Sequence, residues 1–139
     1  MMELPVMLRV RDVMNEDVTK VEKNEDVLSA MNKMIEKGVK CAVVVDDSGK
    51  EIGLITEGTV VRKVLMDRKD PAEVRVGEIM STPLKTIPAD MSLRDAMIKF
   101  VSDNVKQLYV EDNGKIVGII TEHRILKALT EIIVTLLSI

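Results

Sequence analysis

The chain has 139 residues, 46% hydrophobic and 31% charged, with a formal net charge of −3. That balance belongs to a globular chain able to bury one core, or two small ones, and excludes a disordered or collagen-like polymer. The slight negative charge offers no basic field to a phosphate backbone, and with Phe100 and Tyr109 as the only aromatic residues no base-stacking platform can be built, so nucleic acid is not the expected partner.

In chain order, a short strand is expected around Val18 to Val21. Val27, Ala30, Met31, Met34 and Ile35 then recur at i, i+3, i+4, i+7 and i+8, one stripe of a helix, with Asn24 as its cap and Gly38 as its stop. CAVVV (41–45) and EIGLIT (51–56) read as strands joined through Asp46-Asp47-Ser48-Gly49, and a second helix is expected from Thr59 to Leu65. The charged stretch MDRKDPAEV follows. A strand from Leu84 to Ile87 comes next, then a helix on Leu93, Ala96, Met97, Phe100 and Val101, with Asp90 in the cap position and Asn104 in the stop position. QLYVE and KIVGIIT meet through Asn113-Gly114, a strong hairpin signal, before a last helix from Arg124 to Thr130 or beyond.

The second half repeats the first with a period of roughly 66 residues. Met14 answers Met80, Ala30-Met31 answers Ala96-Met97, and Val39-Lys40 answers Val105-Lys106. After a one-residue gap, Gly53 and Ile55-Thr56-Glu57 answer Gly118 and Ile120-Thr121-Glu122. The expected partition is a first unit at 8–66, a linker at 67–75, a second unit at 76–130 and an apolar tail at 131–139. Copies this small cannot cover their apolar faces alone, so the two are expected to pack on each other.

Cys41 is the only cysteine, which excludes an internal disulfide and a cysteine-built metal site and points to a reducing compartment. MMELPVMLRV lacks the pattern of a signal peptide and IIVTLLSI is too short to cross a bilayer, so a cytoplasmic protein without membrane attachment is expected. A single glutamine, Gln107, among many Lys and Glu is a composition hyperthermophile proteins tend toward. His123 has no second histidine or cysteine beside it, and no phosphate-binding glycine loop or nucleophile elbow occurs, so no enzyme, no catalytic residue and no metal is expected.

The RDVM and GEIM openings, the VVVDDSGKEIGLIT and YVEDNGKIVGIIT hairpins and their tandem order resemble the cystathionine-beta-synthase (CBS) domain family, from about Val10 to Leu129. The resemblance implies an α+β fold: two tandem strand-helix-strand-strand-helix units forming an intertwined pair, or Bateman module. Such pairs take an adenosine-containing ligand in the cleft between copies and commonly dimerise into a flat disc. No cofactor is required; the implied ligands are ATP, ADP, AMP or a compound of the S-adenosylmethionine type.

Matched residue by residue, the family pattern places Lys20-Val21 and Thr86-Ile87 on the opening strands, where backbone groups would meet a base. Lys40-Cys41-Ala42 and Lys106-Gln107-Leu108 stand at the hairpin entrances, the lysines as phosphate partners. Thr56 and Thr121 end a strand where a helix begins, so their hydroxyls and the neighbouring amides suit a phosphate; helix capping is the competing reading. At the positions of the family's ribose-binding aspartate stand Thr59 and Arg124. A threonine can still accept one hydrogen bond, whereas a guanidinium only donates. Ordinary tight AMP binding is therefore not expected, and Arg124 is expected either to grip phosphates, favouring ATP or ADP, or to point to solvent or pair with a carboxylate such as Glu122 or Glu131.

Two readings follow. One is a regulatory small-molecule module that signals to a protein partner; the other is a ligand-free structural or oligomerisation module. The run Ile132, Ile133, Leu136, Leu137 and Ile139 predicts a homodimer through the last helix.

Overall fold

The computed structural model describes residues 8–138; Ile139 of the predicted apolar tail lies outside them. These residues form two compact units, one of 18–84 and the other of 8–17 with 85–138. The compact units thus cut across the sequence repeats. The opening stretch of the first repeat, 8–17, packs with the sheet of the second, and that of the second, 76–84, packs with the sheet of the first.

In the unit 18–84, β1 (Lys20–Glu22) leads to α2 (Val27–Lys37), β2 (Cys41–Val45) and β3 (Glu51–Thr56). The α3 helix (Glu57–Val60) follows, continuing as a π-helical stretch (Val61–Leu65), and α4 (Val76–Ile79) completes the unit. The sheet order is β1-β2-β3, with β1 parallel to β2 and β2 antiparallel to β3. The run CAVVV takes the middle because it alone is apolar on both faces; its first four residues are buried. Val21, Ala30, Met34, Ile55 and Val64 meet in the core, joined by Val76 and Ile79 of α4.

The other unit contains α1 (Val10–Val13), β4 (Thr86–Pro88), α5 (Leu93–Asp103), β5 (Gln107–Asp112), β6 (Lys115–Thr121) and α6 (Glu122–Leu137). Its sheet, β4-β5-β6, has the same parallel-then-antiparallel pairing. Phe100, at the place of Met34, fills the centre with Ile87, Leu108, Ile120 and Ile125.

The predicted helices form, but their caps move. Asp26, not Asn24, caps α2: its carboxylate accepts from Ser29 N at 3.0 Å. Ser92, not Asp90, caps α5, accepting from Asp95 N at 3.1 Å. The cap must directly precede the first helical residue to reach the third amide, and Asn24 and Asp90 lie two residues too early. The stops hold, with Gly38 (φ 66°) and Asn104 (φ 51°) both left-handed. Ile35 and Val101, the last residues of each predicted stripe, are both 70% exposed, because each helix has reached its stop and leaves its core there. The closing helices begin directly after the threonines, at Glu57 and Glu122, earlier than Thr59 and Arg124.

The two short opening helices α1 and α4 escape periodicity reasoning, being one turn each. They explain the glycine that starts Gly-x-x-Thr. A Cβ at Gly53 would stand 2.8 Å from Ser81 O and 2.9 Å from Met80 Sδ, and one at Gly118 would stand 2.6 Å from Met14 Sδ and 3.0 Å from Asn15 O. Met80 and Met14 end GEIM and RDVM, and Ser81 and Asn15 directly follow them. The repeated glycines therefore admit the repeated methionines. The linker is structured as well: Pro71 O and Val74 O accept from Leu28 N and Val27 N at 3.1 and 2.9 Å, and Val74 is buried.

Candidate functional site

In both units the hairpin brings one corner together. Cys41 pairs with Thr56 across β2 and β3, and Gln107 with Thr121 across β5 and β6. The first amide of each closing helix is spent on the chain just before the hairpin: Glu57 N donates to Lys40 O at 3.0 Å and Glu122 N to Lys106 O at 2.9 Å. The third amide is capped by the threonine, Thr59 N to Thr56 Oγ1 and Arg124 N to Thr121 Oγ1, both at 3.1 Å. Capping, one reading of these threonines, is thus what they do here. Lys40 and Lys106 are exposed beside each corner.

The family's acceptor positions diverge. The hydroxyl of Thr59, a residue only 5% exposed, lies 3.0 Å from that of Thr56, so the pair satisfies itself inside the unit. Arg124 is exposed and its Nε donates to the carbonyl of Val13, the last residue of α1. Among the described residues it makes no ion pair with Glu122 or Glu131. A guanidinium here is well placed, because the C-terminal carbonyls of a helix carry partial negative charge. The other unit repeats the contact one turn further along its closing helix, where Lys63 Nζ lies 3.5 Å from Ile79 O, the last carbonyl of α4. Sequence reasoning missed Lys63; its signal is the match between Val13-Met14 and Ile79-Met80, legible only once α1 and α4 exist.

The remaining candidates stand on the strands beside the two corners. Val21, Ala42, Ile87 and Leu108 are core residues, which leaves only their backbone groups for a ligand. Lys20 pairs with Glu51 at 3.5 Å, and Thr86 donates to Glu111 at 3.1 Å. Beside Lys20, the hydroxyl of Thr19 is buried without a hydrogen-bond partner, a position the sequence reading passed over. Among the described residues no cluster of acidic, histidine and cysteine side chains could hold a metal ion, and no helix is long and apolar enough to cross a membrane.

Comparison with known proteins agrees with this fold. The CBS domain family model matches twice, at residues 10–66 and 76–131. An uncharacterized protein of Methanopyrus kandleri is 34% identical over 128 residues, 91% of this chain, and this chain spans 65% of that relative's length. The crystal structure of an uncharacterized conserved protein from Pyrococcus horikoshii superposes with a TM-score of 0.80 at 26% identity, covering 91% of this chain and 95% of that one. A CBS domain pair in complex with 5′-methylthioadenosine and S-adenosyl-L-methionine shares the fold, with a TM-score of 0.77 at 22% identity over 90% of this chain and 98% of that one. Two matches of the family model, one on each repeat of an α+β strand-helix-strand-strand-helix unit, place this chain in the CBS domain family as a tandem pair.

Proposed function

We propose that this chain is a regulatory module that senses an adenosine-containing small molecule, with the two threonine-capped corners as the ligand-facing elements. The observation that carries the reading is their recurrence: strand end, capping threonine, exposed lysine and a spent first amide stand in the same relation at Thr56 and at Thr121. A CBS pair of the same fold holds adenosine ligands, so the architecture accommodates them. Neither corner offers a carboxylate to ribose hydroxyls, since Thr59 and Arg124 stand there. Affinity then rests on the base and on phosphates, and ATP or ADP binds better than AMP, with S-adenosylmethionine as the phosphate-free control. A thermal-shift panel of these compounds tests the reading. A ligand at 100 times its Kd adds about 2.7 kcal/mol, several degrees for a chain of this size. No shift from any compound overturns it.

The burial of Thr59 against Thr56 favours a second reading, a ligand-free oligomerisation module in which these groups serve the fold alone. Under either reading we propose a homodimer through α6. Leu126, Ile133 and Leu137 stand exposed at i, i+7 and i+11, a coiled-coil-like seam, whereas Ile132 is half-buried. Sedimentation of the wild type and of Ile133→Asp tests this. A monomeric wild type at tens of micromolar would count against it.

A further inference from the structure

The opening helices α1 and α4 occupy equivalent places and are held in opposite ways. Their first residues, Val10 and Val76, are both fully buried. Both also bond through their first two amides, Val10 N to Met91 O and Arg11 N to Ala89 O in α1, Val76 N to Glu25 O and Gly77 N to Lys23 O in α4, and it is the side chains beyond these that diverge. Where α4 has Gly77, letting the backbone of Lys23 approach to 3.2 Å of a Cβ position, α1 has Arg11, whose guanidinium lies 2.8 Å from Asp90 and 3.5 Å from Asp112. Where α4 ends in Ile79, only 3% exposed and in the core, α1 ends in half-buried Val13. The carbonyl of Val13 receives Arg124, whereas that of Ile79 has only Lys63 at 3.5 Å. An open groove of about 590 Å³, lined among others by Leu8, Val13, Lys127 and Ile132, runs beside α1 against α6, so the packing that seals α4 is missing there.

We propose that α1 is an ionically latched segment, fastened by Arg11 and Arg124 and released when those charges are screened or removed, while α4 is fixed by burial. Attraction between exposed charges is screened by salt and apolar burial is not weakened by it. The latch therefore responds to ionic strength, or to any anion that competes for the guanidinium of Arg124.

Amide hydrogen exchange followed by NMR reads each fastening separately. The Met14 and Asn15 amides, bonded to Val10 O and Ile119 O at 2.9 and 2.8 Å, report α1. The Met80 and Ser81 amides, bonded to Val76 O and Leu54 O at 3.0 and 2.8 Å, report α4. The amide of Val110, on the central strand β5, reports global opening. Raising sodium chloride from about 0.1 to about 1 M shortens the screening length from about 10 to about 3 Å. Met14 and Asn15 should then exchange roughly 5- to 10-fold faster, with Met80, Ser81 and Val110 changed less than about 2-fold. Arg124→Ala should give the same acceleration at low salt, and Arg124→Lys, which restores the cation that Lys63 supplies in the other unit, should recover part of the protection. Salt-independent exchange at Met14 and Asn15, or acceleration of Val110 alongside them, overturns the latch. Should Arg124→Ala not fold, the wild-type salt series decides alone.

Discussion

The hairpin of the unit 18–84 and that of its counterpart close in different currencies. Between β2 and β3 the turn spends a carboxylate: Asp46 Oδ1 accepts from Ser48 N, Ser48 Oγ and Lys50 N at 2.9, 2.7 and 3.0 Å. Between β5 and β6 it spends backbone conformation, with Asn113 and Gly114 at φ 53° and 77°, the two-residue turn whose twist matches the strands it joins. The helix caps split likewise, Asp26 in one unit and Ser92 in the other. The buried apolar core positions and the closely packed glycines Gly53 and Gly118, by contrast, hold the same places in both. Close packing allows one solution for a buried position, whereas a solvent-facing cap or turn has several of similar strength.

The largest test of that contrast lies in the cores. Phe100→Ala should cost about 4 kcal/mol and Met34→Ala about 3, read by urea denaturation, because both leave cavities at equivalent places but phenylalanine removes more. Costs below about 1 kcal/mol would break the equivalence. Next come the glycines. Gly53→Ala meets a backbone oxygen at 2.8 Å and should cost about 2–3 kcal/mol, whereas Gly118→Ala first meets the flexible sulfur of Met14 and should cost about 1–2. The reverse order would show that Met14 and Asn15 press on β6 harder than Met80 and Ser81 press on β3.

Thr56→Ala should then cost more than Thr121→Ala, about 2 against about 1 kcal/mol, since Thr56 also satisfies buried Thr59 whereas Thr121 only caps. Thr19→Val should stabilise by about 1 kcal/mol, seen as a rise in Tm, because the orphaned hydroxyl is removed. The smallest effect is with pH. Hydrogen bonds from Ser48 and Ser29 hold the carboxyls of Asp46 and Asp26 below the ordinary 3.8. A depressed carboxyl contributes stability that is present above its unfolded pKa and lost as pH falls through the lower folded value. Between pH 5 and acid below about 3.8, amides at the α2 cap and the β2–β3 turn should lose protection, while those at Ser92 and Asn113-Gly114, which carry no titrating group, should not. Equal loss at both pairs would remove the distinction.

Much of this was legible in the letters. Period 3.6 revealed the α2 and α5 stripes and Asn-Gly the second hairpin, because each rests on local geometry with a short reach, and the 66-residue repeat revealed two units of one fold. Asn24 and Asp90 were misread as caps because the sequence shows a polar residue near a helix start but not the residue at which helical φ begins. Arg124 was read as a phosphate clamp, a solvent-facing residue or a carboxylate partner, and none of these readings foresaw Val13, which lies 111 residues away. Contacts of that range follow from which opening stretch packs with which sheet, and periodicity carries no information about that.

That exchange of opening stretches decides where the chain can be cut. A piece ending at residue 66 would keep β1, β2 and β3 but lose α4, and with it Val76 and Ile79 from its core and the oxygen of Ser81 from the edge of β3. A piece of 18–84 keeps them all. Excised and expressed alone, residues 18–84 should give a cooperatively melting half, and residues 8–66 an aggregating one, so the portable module starts 10 residues and ends 18 residues later than the repeat that the sequence displays.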